Sequence, residues 1–147
     1  MERSLKAKLL LLVGLLLLSA SGVAADLAEI KSRGELRHLG IPYANFVTGR
    51  GDGLDVELVQ GFALHLGVKY TLVYSDFYTV LRDLLGRGVE RADGKVVLKG
   101  QFPVRGDIIA AGFTVLPWRE QVVLYSAPTF PSQVMLIARA EAAITPI

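Results

Sequence analysis

GLDVELVQGFALHLGVKYTLVY, residues 53–74, is the stretch whose reading decides the fold. Leu54, Leu58, Phe62 and Leu66 recur at every fourth position, which predicts an amphipathic helix over 54–66 with that stripe toward a core. Gly67 ends it, and residues 68–74 (VKYTLVY) alternate and are rich in β-formers, so a strand follows at once. Upstream, DLAEIKSR (26–33) reads as a short helix closed by Gly34, and ELRHLGI (35–41) as a strand. PYANFVTGRGDG (42–53) between them is a loop rich in turn formers.

Downstream, Phe77, Val80, Leu81 and Leu84 fall on one face of a second helix over 77–85. Asp93-Gly94 followed by KVVL suggests a hairpin excursion within 89–105. A third strand is expected over 107–111, a short proline-started helix over 117–121, and a last strand over 133–139 (QVMLIAR). Strands alternating with helices imply right-handed crossovers, hence an α/β fold with a mostly parallel sheet and helices on both faces.

Residues 1–25 are expected to lie outside this fold. Arg3, Lys6 and Lys8 precede an apolar run, Leu9 to Leu18, and a small-residue tail ends at Ala25, the layout of a secretory signal peptide. The run is about half of the roughly 20 residues that a spanning helix needs, so stable membrane insertion after cleavage is not expected, with an uncleaved N-terminal anchor as the alternative. The chain then works in the periplasm. Without cysteine, disulfides, thiolate-ligated metals and a lipidated cysteine start are excluded.

The net charge of +2 belongs to the leader; the remaining 122 residues hold thirteen basic and thirteen acidic side chains. That balance argues against nucleic acid, which calls for a basic patch. The length suits one domain, taken as 26–147.

The chemistry centres on GDIIAAGFTVLPWREQVVLYSAP, residues 106–128. If 117–121 is a helix, Arg119 lies in its first turn, where the macrodipole disfavours a cation unless an anion is present. Ligands of open α/β sheets sit beyond the carboxyl ends of the strands. The loops meeting there carry Tyr43, Phe46, Phe77, Thr114 and Arg119, aromatic walls around one cation, which suits a small, partly apolar anion. Against this stand blander roles: Arg119 paired with Glu120 or Asp107, Phe46 and Phe77 as core, Thr114 as a turn cap.

Catalysis finds less support. His38 and His65 have no metal-ligand spacing, Asp55 and Glu57 suit the first turn of a helix by charge alone, and no nucleophile elbow, phosphate loop or dinucleotide fingerprint occurs. The sequence therefore predicts no enzyme, no metal and no cofactor.

Taken together, LAEIKSRGELR, PYANF, GLDVELVQGFALHLGVKY, the 106–128 block and QVMLIAR resemble the first lobe of the periplasmic solute-binding proteins of family 3, which serve amino-acid ABC importers. The likeness covers nearly all of 27–139 except the insert at 89–105. It implies the first lobe of a type II periplasmic-binding-protein-like fold, with Arg119 and Thr114 on the ligand carboxylate and Gly112 offering backbone groups to the α-amine. Tyr43 would pack on the ligand and Phe77 would line the pocket, with an ABC permease as a further partner.

The sequence departs from that pattern at Leu116, where threonine is usual, at Ala127, where aspartate is common, at Phe130-Pro131, and at Gly40, where some members carry an acid. It also ends with AEAAITPI where a second lobe is expected, which suggests a truncated lobe. A micromolar ligand requires about −8 kcal/mol, whereas one charge-assisted arginine contact contributes roughly 1.5–3 kcal/mol. Half a clamshell is thus expected to bind near millimolar.

Two other readings stay open. GLDVELVQGFALHLGVK, with AAG and PTF, is also similar to the non-catalytic front domain of the membrane-bound lytic transglycosylases F, a solute-binding-like module ahead of a peptidoglycan-cleaving domain. The third is a remnant that binds nothing.

Overall fold

The computed structural model describes residues 26–131 apart from residue 93. The expected leader and the strand expected over 133–139 lie outside the described residues. The chain divides between Thr114 and Val115 into two compact units.

In the first unit, Asp26 caps helix α1 (Leu27–Arg33), its carboxylate accepting from the Glu29 N–H at 2.8 Å, and Gly34 closes it in the left-handed conformation. Strand β1 (Glu35–Gly40), helix α2 (Leu54–Leu66), strand β2 (Lys69–Tyr74) and helix α3 (Val80–Leu85) follow. An antiparallel pair, β3 (Gly88–Ala92) and β4 (Lys95–Lys99), then leads to the short strand β5 (Ile108–Ile109). β1 is central: it pairs in parallel with β2 from Glu35↔Lys69 to Gly40↔Tyr74, and with β5 at His38↔Ile108 and Leu39↔Ile109.

Alternating β1 side chains divide the core. Leu36 on one face packs with Ile30 of α1 and with Val59 and Ala63 of α2. Leu39 on the other packs with Val80 of α3, and Val56, Val47 and Ala111 join this second cluster. The α/β architecture with helices over both faces is therefore as expected.

Four local expectations are corrected. The face of α2 that is buried carries Asp55, Val56, Val59 and Ala63, while Leu54, Leu58 and Phe62 stay 40–48% exposed. Apolar side chains also stand at Val56, Val59 and Ala63, so a four-residue repeat of leucines does not by itself select the buried face, and these smaller side chains allow closer approach to the sheet. Helix α3 starts at Val80 rather than 77 because Asp76 holds the preceding turn, accepting from Tyr78 N at 2.7 Å and Thr79 N at 2.9 Å. β5 is two residues long instead of five.

The helix expected over 117–121, in the second unit, is a run of turns. Arg119 N and Glu120 N both donate to Leu116 O, but Val122 N and Val123 N both return to Arg119 O, so no continuous helical ladder forms. The macrodipole argument for an anion beside Arg119 falls with it.

Charges secure β5. The fully buried Asp107 carboxylate accepts from Arg33 at 2.6 Å and from Arg37 at 2.8 Å, and it also takes the Arg37 backbone N–H at 2.8 Å. Burial alone would raise its pKa, yet the Arg37 hydrogen bonds and the two guanidiniums hold it below the usual carboxylate range. Its carboxylate is held by these two arginines.

His38 bridges the three strands. It is fully buried, with Nε2 2.6 Å from Ala110 O and Nδ1 2.8 Å from the Tyr70 hydroxyl. A carbonyl can only accept, so Nε2 carries the proton and Nδ1 accepts from Tyr70. Burial pushes His38 below its ordinary value, against the smaller opposing pulls of the Ala110 carbonyl and the Asp55 charge. Burial likewise pushes Tyr70 up to about 12.

Two predictions follow from this core. A Cβ at Gly106 would overlap Leu39 Cγ in the middle of the sheet, so Gly106→Ala should cost about 1–3 kcal/mol, read as a lower urea midpoint at unchanged slope. Because the folded pKa of His38 lies below its unfolded value of 6.5, the unfolded chain takes up the proton first. Stability should hold above that pH and fall as pH drops below it, before Asp107 titrates in the more acidic carboxylate range. His38→Gln should flatten the slope between pH 6.5 and about 5 in urea titrations.

Candidate functional site

The loop after β1 builds the site. Tyr43 N donates to Val47 O at 3.0 Å and Phe46 N to Tyr43 O at 3.2 Å, closing a tight turn with Ala44 in the left-handed region. Gly53 brings no capping side chain to α2. The turn's own carbonyls serve instead: Asn45 O accepts from Leu54 N at 2.9 Å and Phe46 O from Asp55 N at 3.0 Å.

The turn presents aromatic rings at the carboxyl ends of β1 and β2. Tyr43 stacks on Phe46 with centroids 6.2 Å apart and planes 8° from parallel. Phe77, from the loop after β2, meets Tyr43 edge-on at 5.6 Å and 84°. Tyr43 and Phe77 are each nearly half exposed, whereas Phe46 is more covered and anchors the loop.

Gly112 lies against the same cluster. Its φ is +61°, and a Cβ there would come within 2.7 Å of the Phe46 ring, so only glycine lets the ring lie on the backbone. Its N–H donates at 2.6 Å to the Asp55 carboxylate, which is buried. Asp55 thus acts as a buried brace for this turn as well as a first-turn acid. An amine approaching Gly112 would meet its carbonyl, because the N–H is already taken.

Tyr43, Phe77 and Gly112 are therefore brought together in the first unit, through Phe46. Thr114 is exposed at the end of that unit. Arg119 belongs to the second unit, where its guanidinium lies over the Trp118 ring at 5.2 Å. Burial raises the pKa of the neighbouring Tyr125 hydroxyl, opposed by the charge and hydrogen bond of Arg119. His65 is exposed.

Sequence reasoning missed two residues of this region. Asp55 was accounted for by helix charge alone, and His38 had no role. An imidazole on the same face of β1 as Leu36 signals a buried polar group that needs partners, but those partners sit 32 and 72 residues away.

No family model matches the chain. A segment of 55 residues, 35% of this chain, is 49% identical to the membrane-bound lytic murein transglycosylase F of Serratia proteamaculans (strain 568), covering 11% of that protein. The crystal structure of an ancestral cyclohexadienyl dehydratase aligns with a TM-score of 0.47 at 30% identity, over 67% of this chain and 36% of that one. The chain thus spans about a tenth of the first and about a third of the second. The expectation that it is no enzyme does not stand, since the transglycosylase it matches over 55 residues is an enzyme by name. Partial similarity to a lytic transglycosylase F, one of the resemblances drawn from the sequence, is found directly.

Proposed function

We propose that this chain is the solute-recognising part of a murein-processing enzyme of the cell envelope. The observation that carries this reading is the 49% identity over 55 residues to a lytic murein transglycosylase. The leader pattern at 1–25 and the membrane-bound relative support an envelope location.

The ligand is a small, partly apolar molecule bearing a carboxylate, such as a free amino acid or a short peptide fragment of murein. Its apolar part lies on Tyr43 and Phe77, where an aromatic contact contributes about 0.5–1.5 kcal/mol beyond the area it buries. Its amine is met by the Gly112 carbonyl, with the turn held rigid from behind by Asp55. Thr114 takes the carboxylate role that the resemblance to solute-binding proteins implies, and the same role for Arg119 rests on that resemblance alone. Amino-acid delivery to an ABC importer rests on that resemblance alone and is separated from the murein reading by ligand choice.

A thermal-shift panel of free amino acids and murein peptide fragments, followed by calorimetry, tests the proposal. Murein fragments should raise the unfolding midpoint, and Tyr43→Ala should weaken their binding about tenfold, a loss of roughly 1.4 kcal/mol. Arg119→Ala and Thr114→Ala test the carboxylate assignments separately. Response to free amino acids with none to murein fragments would favour the importer role, and silence across the panel would sink both.

A further inference from the structure

His38 is a buried titratable group that the ligand site does not use. Burying an imidazole carries a desolvation cost that an apolar side chain in the same place would not have. What the ring brings is two directed hydrogen bonds. Nε2–H donates to Ala110 O at 2.6 Å, and Nδ1 accepts from the Tyr70 hydroxyl at 2.8 Å. Both bonds hold in this form only while the ring is neutral.

Two residues beyond Ala110, the Gly112 N–H donates to the buried Asp55 carboxylate at 2.6 Å. The segment leaving β5 is therefore gripped at one carbonyl from β1 and at one amide from α2. The two grips are linked, because the Asp55 charge acts on His38. Among the described residues, Tyr70 of β2 and Asp55 of α2 are the titratable groups that act on the ring, while β5 sets Ile108 opposite it in register. A proton on Nδ1 makes that nitrogen a second donor, so the Tyr70 hydroxyl must turn its own hydrogen away. The ring also becomes a buried cation beside the Asp55 charge, and an imidazolium is a stronger claimant on a carboxylate than a neutral amide.

We propose that His38 is a proton switch on the ligand turn: its protonation draws Asp55 away from Gly112 and loosens the turn that seats Phe46, Tyr43 and Phe77. The Phe46 ring lies directly on the left-handed Gly112 backbone. A turn no longer held from behind lets that ring move, together with Tyr43 stacked on it. Histidine is the side chain suited to this, since its charge changes within the range of pH that an exposed compartment meets. The consequence for binding, with ligand held near neutrality and released in acid, rests on the function proposed above. The coupling between His38 and Gly112 needs no ligand.

Heteronuclear NMR on the full chain, titrated from about pH 8 to 5, reads the switch directly. The Gly112 amide should move with the same midpoint as the His38 ring, below the ordinary value of 6.5, and its protection factor should fall through that midpoint. His38→Gln, neutral throughout, should leave the Gly112 amide unchanged over the range. Tyr70→Phe keeps the ring's packing and removes the donor to Nδ1, so it should raise the midpoint, and it tests the coupling even if the glutamine chain fails to fold. A His38 ring that titrates while the Gly112 amide stays still would overturn the proposal. So would a Gly112 transition that survives His38→Gln, a midpoint indifferent to Tyr70→Phe, or loss of the whole sheet before the ring takes its proton. Binding is read separately: murein fragments and amino acids silent at every pH would sink the ligand reading, while the two resonances still decide the switch.

Discussion

The buried Asp55 carboxylate is the contact on which the upper end of this sheet depends. A carboxylate withdrawn from water is costly unless it is hydrogen-bonded, and here the main chain at Gly112 supplies a donor. The same residue's N–H is held by the Phe46 carbonyl, and the Phe46 ring rests on Gly112. The loop after β1, the start of α2 and the turn after β5 therefore close on one another as a ring of three contacts. Tyr43 and Phe77 inherit their positions from that ring, since Tyr43 stacks on Phe46 and Phe77 abuts Tyr43.

A two-residue strand offers few ladder hydrogen bonds, so β5 relies on its flanks. Before it, Asp107 is clamped by Arg33 and Arg37. After it, His38 holds the Ala110 carbonyl and Asp55 holds the Gly112 amide. Asp83 performs a similar service for the chain arriving at β5, accepting from Arg105 at 2.7 Å and from Ser75 at 2.8 Å while its carbonyl takes the Arg105 N–H. Buried ionic groups of this kind contribute little over well-packed apolar substitutes, but they are intolerant of losing one partner. Their effect is to specify where β5 sits.

What could be read from the sequence followed the range of the interactions. The bounds of α2, the glycine stop at Gly67 and the hairpin turn at Gly94 depend on neighbours along the chain and were legible. The buried face of α2 was not, because Leu58 and Val59 are equally plausible core residues until the sheet chooses between them. The run after Pro117 looked helical by its first residue, while Val122 and Val123 turn back onto a single carbonyl. That Tyr43 and Phe77 come close to one another was legible because loops at the carboxyl ends of parallel strands converge whatever their sequence. Phe46 as the hinge between them required the left-handed geometry of Gly112 to be seen.

The β3–β4 hairpin leaves the parallel sheet and returns to nearly the same place. At its base Phe102 N donates to Gly86 O at 2.8 Å, and among the described residues the two strands pair only with each other. Its tip at Gly94 bears on none of the register that joins β1, β2 and β5. Closing a longer loop adds only slowly to the entropy of folding, so this segment can grow, shrink or diverge between related proteins while the sheet beneath it stays the same. It is the natural place for lineage-specific length variation, and for an inserted fluorescent reporter that leaves the aromatic loop untouched.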